Sequence, residues 1–409
     1  MTATLRVWLH GQHLADLHQL NNRTLRLRYT EEALGRWGIG SRPLSLSLPL
    51  TPKRVQGDAL ERFCDNLLPE GAVRAVLERE NGVRPGDAFG LLTHVGRECA
   101  GAIQFTAEDT PLGEGGLVPL SAGDVDTLVR DLPTHHVPDG LAVSASLGGV
   151  QDKVLLTRTP DGWAWPSDGA ISTHLVKPQP VSPQVPIPEI VRYEHWALHL
   201  ARAAGLRAAH AELAWFDGRQ ALVVERFDRV DGRRLHQEDV TQSLGLAARD
   251  KYESAVGERR LSTFAALAAP EAVDPAGLLV DLLRQVTFNT AIGNGDAHSK
   301  NYSIHIGEGA TVSTSPLYDV APVFLVAATY RHAGHAVDEQ VYLPYLTAAH
   351  LVSEAVHWGL GRQVAEEVVA STLQSTLAAV EDLGEPDDVP VAVGAAVHAR
   401  VSGLLARAG

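Results

Sequence analysis

Asp296 and Asn301 sit in the polar loop Ile292-Gly-Asn-Gly-Asp-Ala-His-Ser-Lys-Asn301, separated by four residues and placed directly after a long apolar run. D-x-x-x-x-N is the spacing of phosphoryl-transfer loops. There the aspartate accepts or orients the proton of an attacking hydroxyl, and the asparagine holds a Mg²⁺ ion. A second acid is then required on the metal, and Asp319 in Pro316-Leu-Tyr-Asp319 supplies it. Mg²⁺ takes oxygen ligands, commonly one or two carboxylates with phosphates and water, so Asn301 with Asp319 forms a sufficient protein set. The DFG triplet that carries this acid in common protein kinases is absent.

Such chemistry also needs groups that hold ATP phosphates. Ser146-Leu-Gly-Gly-Val-Gln-Asp-Lys153 reads as a turn between two strands, and Gly148 and Gly149 let backbone N–H groups approach phosphate oxygens. Lys177 ends the apolar strand His174-Leu-Val, a position suited to a lysine reaching the α/β-phosphates. Glu194, on the following helix, is its candidate ion-pair partner.

The elements that position these groups follow from periodicity and punctuation. Leu5 to Leu9, Thr24 to Tyr29, Leu44 to Leu50 and Cys99 to Phe105 read as strands. Ala59 to Leu68 and Ala72 to Glu80 have helical spacing. Residues 108–140, rich in Pro, Gly and Asp, read as a connection with one helix, Ala122 to Asp131. Strands are then expected at Val143 to Ser146, Lys153 to Thr157 and Ser172 to Lys177. A helix is expected over Ile187 to Gly205, and a hairpin turns at Asp217-Gly218. Asp274 as N-cap and Pro275 as first helical residue predict a helix running to about Ile292. Gln363 to Leu383 and Pro390 to Ala408 read as two more. Strands precede helices, so the expected class is α+β. It comprises a two-lobed kinase-like fold, with a β-rich N-lobe and a mainly α-helical C-lobe, after a small N-terminal α/β subdomain. The boundaries are 1–107 for that subdomain, 108–140 for the connection, 141–235 for the N-lobe and 236–409 for the C-lobe.

Several segments, in order, resemble the HipA family of bacterial toxin kinases. They are Ser146 to Lys153, Thr173-His-Leu-Val-Lys177, Val224-Glu-Arg-Phe-Asp-Arg229, Gln237-Glu-Asp239, Lys251-Tyr-Glu-Ser254, Gly293 to Asn301 and Tyr318-Asp319. Phe63-Cys-Asp-Asn-Leu-Leu-Pro69 and Phe89 to Phe105 extend the resemblance to the N-terminal part. The resemblance implies Asp296 as catalytic aspartate, Asn301 and Asp319 on Mg²⁺, and Lys177 on ATP phosphates. It places Gly148, Gly149, Val150, Gln151 and Lys153 in the phosphate-binding loop, and Glu225 and Phe227 in the hinge that receives adenine. His298 and Lys300 either contact phosphate or structure the turn, while Asp239 and Lys251 carry no sharp role. Ser146 is implied as the self-phosphorylated serine, with Ser144 beside it as the alternative. The resemblance further implies an aminoacyl-tRNA synthetase substrate, the glutamyl enzyme first, and a helix-turn-helix antitoxin of the HipB kind as partner.

Bulk properties bound the alternatives. A formal net charge of −14 over 409 residues repels nucleic-acid phosphates, so DNA association is expected only through such a basic partner. No run of roughly 18 apolar residues predicts a membrane span, and the first residues lack a signal-peptide pattern, so a cytoplasmic location is expected. Cys64 and Cys99 read as two thiols in a reducing compartment. Two rival classes remain. D-x-H-x-x-N is also similar to the loop of phosphoinositide kinases, which allows a lipid or small-molecule phosphotransferase. A non-catalytic corepressor in a DNA-bound complex is the other.

Overall fold

The computed structural model describes residues 3–107, 110, 112–132, 152–181, 187–253, 258–327 and 329–407. The expected strand at Val143 to Ser146, the residues Gly148, Gly149, Val150 and Gln151, and both Ser144 and Ser146 lie outside them. The chain divides into two compact units. One comprises Met1–Pro178, Trp215–Ala248 and His305–Thr311; the other comprises Gln179–Ala214, Arg249–Ile304 and Val312–Gly409.

The first unit is sheet-rich. Strands β1 (Ala3–Leu9), β2 (Gln12–Gln19), β3 (Leu25–Tyr29), β4 (Val55–Gln56) and β5 (Ile103–Ala107) form a sheet in the order β4-β3-β2-β1-β5. Alternation along β1 buries Leu5, Val7 and Leu9. They pack in one core with Leu60 and Phe63 of helix Asp58–Asn66 and Leu91 and Leu92 of helix Ala88–Val95.

The Leu/Ser alternation of Leu44 to Leu50 does not form the expected strand. Ser45 and Ser47 bond to each other through their hydroxyls at 2.8 Å, and the Leu48 N–H donates to the Ser45 carbonyl at 3.1 Å. The Leu46 N–H donates to the Glu238 carboxylate at 2.8 Å. Hydroxyls and a distant carboxylate thus take the polar groups that a neighbouring strand would otherwise satisfy.

A second sheet contains β6 (Gly116–Leu120), β7 (Val154–Thr159), β8 (Gly162–Ser167), β9 (His174–Pro178), β10 (Ala211–Phe216) and β11 (Arg219–Glu225) in the order β10-β11-β9-β7-β8-β6. The hairpin from β10 to β11 turns at Asp217 and Gly218, both with positive φ. Strand β6 was not legible in the segment 108–140. Its Pro119 is admissible because β6 is an edge strand, where a missing ladder donor is tolerated. The expected helix follows as Ala122–Asp131, opened by a capping box between Ser121 and Asp124.

A buried ion network joins the N-terminal sheet region to the segment after β11. Glu98, fully buried, accepts from Arg226 at 3.2 Å, Arg229 at 3.0 Å and Arg234 at 2.7 Å, and from the Ser172 hydroxyl at 2.8 Å. Asp228 pairs with Arg226 at 2.8 Å and takes the Gly101 N–H at 2.7 Å. Burial alone would raise the Glu98 carboxyl, but Arg229, Arg226 and Arg234 outweigh it and hold the group below its ordinary value.

The second unit is mainly helical. Asp274 caps the Gly277 N–H at 3.0 Å, Pro275 opens the helix Pro275–Ile292, and Gly293 closes it in the left-handed region at φ 74°. From Leu278 onward this helix is almost wholly buried, packed against helices Ala348–His357, Arg362–Leu383 and Gly394–Ala406. The last of these starts at Gly394 rather than at Pro390. The Glu385 carboxylate accepts the N–H groups of Gly394 and Ala395, each at 2.7 Å, and so satisfies that new terminus. The expected helix over Ile187 to Gly205 is present as Ile190–Ala203, with Glu194 buried on it.

Candidate active site

The loop after the buried helix is built backbone first. The Asn294 amide oxygen accepts the Asp296 N–H at 3.1 Å, and its nitrogen donates to Asn289 Oδ1 at 2.8 Å, back inside the helix. The Asp296 carbonyl accepts twice, from the His298 N–H at 2.7 Å and from Asn301 Nδ2 at 2.9 Å. A 3₁₀ turn, Ser299–Asn301, then leads into the strand Ser303–Ile306. The loop therefore rests on a rigid helix and closes on itself, with Asp296 half-buried and Asn301 buried.

Two other segments hold the loop from outside. The Lys251 carbonyl accepts the Ser299 N–H at 3.0 Å and its hydroxyl at 2.8 Å. The strand His332–Val337 approaches so closely that a Cβ built on Gly334 would lie 2.3 Å from the Ala297 carbonyl oxygen, which makes glycine obligatory there. Tyr252 donates its hydroxyl to Asp296 Oδ1, and its ring stands edge-on to His298 with centroids 4.9 Å apart.

Charge in this cluster is coupled. Burial, then the charge of Lys251, pushes His298 down to about 3 against the opposing pull of Asp319, so its imidazole is neutral. Burial, then Asp296, raises the Tyr252 phenol well above its ordinary value, and Asp319 adds to the rise. Asp319, with positive φ of 55°, thus acts both on Tyr252, which bonds to Asp296, and on His298, which packs against Tyr252. Tyr318 bonds to the Lys300 carbonyl at 2.7 Å and ties the Asp319 segment to the loop.

Among the sequence candidates, Asp296, His298, Lys300, Asn301 and Asp319 gather in the helical unit. Lys153, Lys177, Glu225 and Phe227 belong to the sheet unit. Lys177 is buried on β9 opposite Leu222 of β11; Glu225 ends β11 and is exposed; Phe227 lies edge-on to His305 at 5.5 Å. Asp239, which had no sharp role, caps the helix Val240–Ser243 through a capping box with Gln242. Tyr252 and Asn294 were passed over as functional residues in the sequence. Tyr252 lay in a matched motif, and Asn294 is a polar residue just past a helix end that is buried throughout.

The Asn301 amide nitrogen is committed to the Asp296 carbonyl, which leaves the amide oxygen as the atom to offer a cation. With Asp319 this donor set is all oxygen and fits Mg²⁺. Among the described residues, no three His, Cys, Asp or Glu side chains form a ready-made metal cluster. A site completed by nucleotide phosphates does not require one. No helix among them is long and apolar enough to cross a membrane.

Comparison with known proteins gives concordant findings. The HipA N-terminal domain family matches residues 5–106, and the HipA-like C-terminal domain family matches residues 145–380. The serine/threonine-protein kinase toxin HipA of Shewanella oneidensis is 30% identical over 336 residues, 78% of this chain and 74% of its own. A Sinorhizobium fredii protein, Y4mE, is 31% identical over 388 residues, 92% of this chain and 90% of its own. The solved complex of Shewanella oneidensis HipA with HipB and operator DNA contains a chain of similar fold. Its TM-score is 0.79 at 26% identity, over 99% of this chain and 96% of that one.

Proposed function

The chain belongs to the HipA family, and from that premise we propose that it is an ATP- and Mg²⁺-dependent serine/threonine protein kinase acting as a toxin. The observation that carries this reading is the loop in which Asn294, Asn301 and Tyr252 fix Asp296 on a buried helix end. In transfer, the acceptor oxygen bonds to the γ-phosphorus and the bond to the β–γ bridging oxygen breaks. ADP leaves with that oxygen, and the acceptor proton passes to the Asp296 carboxylate. Asn301 and Asp319 would hold Mg²⁺, which when bound neutralises charge on the phosphate oxygens. His298, neutral and buried against Tyr252, adds no charge to the loop. Lys177 would meet ATP phosphates with Lys153 and the loop Gly148, Gly149, Val150 and Gln151. Glu225 and Phe227 would receive adenine, and Ser146 would be self-phosphorylated.

The protein substrate on this reading is an aminoacyl-tRNA synthetase, with the glutamyl enzyme as first choice, and its modification would arrest translation and growth. A HipB-like antitoxin would bind the chain and bring it to operator DNA, as the Shewanella complex contains all three molecules. The net charge of −14 supports DNA contact through such a partner rather than directly.

The test is transfer from γ-labelled ATP with Mg²⁺ to purified glutamyl-tRNA synthetase and to the chain itself, with phosphosites mapped by mass spectrometry. Asp296→Asn is expected to lower transfer by about 10²–10⁴-fold while nucleotide binding persists. Label on the chain alone would keep the kinase and redirect the search to other synthetases. No label and no ATP binding would favour a corepressor without catalysis.

A further inference from the structure

Tyr252 is 41% exposed, yet both of its neighbours are pinned. The Lys251 carbonyl takes two hydrogen bonds from Ser299 of the loop. The Glu253 N–H donates to the Gly334 carbonyl at 3.0 Å, and the Glu253 carboxylate accepts the Ala336 N–H at 3.1 Å. Segment 251–253 is therefore a brace between the catalytic loop and the strand His332–Val337, with the Tyr252 side chain directed at Asp296.

Within the loop, Asn294 holds the Asp296 N–H, and His298 and Asn301 hold its carbonyl. These bonds fix where the residue is. The Tyr252 hydroxyl engages the carboxylate itself. The phenol stays protonated at any working pH because burial, and then Asp296, opposes its ionisation, so it remains a donor. The edge-on packing against His298 sets the ring plane and hence the direction of that donor.

We propose that Tyr252 is a positioning residue of the Asp296 carboxylate, biasing its rotamer so that one oxygen faces the acceptor hydroxyl in line with the γ-phosphoryl group. This rests on the reading of Asp296 as the catalytic aspartate. The gain is one of orientation: a donor held in place narrows the rotamers that the carboxylate samples toward those that meet the acceptor productively.

The test compares wild type, Tyr252→Phe and Tyr252→His in initial rates of labelled phosphoryl transfer from Mg·ATP to whichever acceptor the wild type labels, the chain itself included. Tyr345→Phe, at an exposed residue outside the site, is the control. Tyr252→Phe is expected to lower kcat by about ten- to a hundredfold, with KM for ATP and the thermal midpoint unchanged. Tyr252→His, which keeps a ring and a donor, is expected to recover part of the loss and guards against a Phe variant that folds poorly. A kcat equal to wild type, or a loss expressed wholly in KM for ATP, would overturn the assignment while leaving the kinase intact. A wild-type chain that labels nothing would overturn the kinase reading itself, and the role of Tyr252 with it.

Discussion

Asn294 shows how a buried amide fixes the backbone of a neighbouring acidic residue. It is 2% exposed, and its two amide atoms are spent in opposite directions, one on Asn289 inside the helix and one on the Asp296 N–H. Asn289 in turn donates to the Tyr302 hydroxyl at 3.1 Å. A side chain that both accepts and donates is required, which an aliphatic residue cannot replace. Asn294→Ala would strand the Asn289 oxygen and the Asp296 N–H in a buried setting, at a cost of about 1–3 kcal/mol per group. The expected outcome is a lower denaturant midpoint together with a fall in phosphoryl transfer larger than any fall in ATP binding. Equal loss of both would place the damage outside the loop.

At the scale of elements, the loop Gly293 to Asn301 and the strand His332–Val337 meet backbone to backbone at Gly334. In Gly334→Ala the new Cβ would lie 2.3 Å from the Ala297 oxygen and 2.5 Å from the His298 nitrogen. Neither atom can swing aside, so the loop must shift, and a displacement near 1 Å costs about a hundredfold in rate. Labelled transfer should fall by that order, whereas Gly35→Ala, with nothing within 4 Å of its Cβ, should leave it unchanged. How much of the site was legible follows from the same contacts. The D-x-x-x-x-N loop, the helix before it and the hairpin at Asp217-Gly218 were readable because caps, turns and spacing are local signals. Tyr252 stood 44 positions from Asp296, and only the fold brings them together. Leu44 to Leu50 was misread for a related reason. Alternation reports which side chains are buried, but the partner of the Leu46 N–H is a carboxylate 192 positions away. Strand β6 was hidden by its proline, which is a fair signal against a central strand and none against an edge.

At the scale of the whole molecule, the acidic surplus of the sequence conceals titratable groups locked inside the sheet-rich unit. Glu238 is 1% exposed and ties the loop of residues 44–50 to the segment after β11 through the Leu46 N–H and the Ser243 hydroxyl. Burial pushes its carboxyl up to about 7, against these hydrogen bonds, which pull it down. Between pH 4.5 and 7 the unfolded chain releases this proton and the folded chain keeps it. The folded state therefore binds more protons, and stability falls as pH rises through that window. His236, buried beside it in sequence, has the opposite sign. Burial pushes it down to about 4; its Nε2 meets the Leu44 carbonyl at 2.8 Å and its Nδ1 the Ala102 N–H at 3.3 Å, as one neutral tautomer does. Between pH 4 and 6.5 the unfolded state binds the extra proton, and stability rises with pH. The two slopes oppose each other between pH 4.5 and 6.5, and His298, held at about 3, adds a rising slope of the same sign as that of His236. Glu238→Gln keeps an acceptor for the Leu46 N–H and removes only the falling term. The stability difference between wild type and variant should then shift by on the order of 3 kcal/mol from pH 4.5 to 7, with wild type relatively favoured on the acid side. Urea unfolding of both proteins across that range measures the difference directly. A constant difference would mean that the Glu238 carboxyl titrates in the folded chain as it does in the unfolded one, its hydrogen bonds balancing its burial.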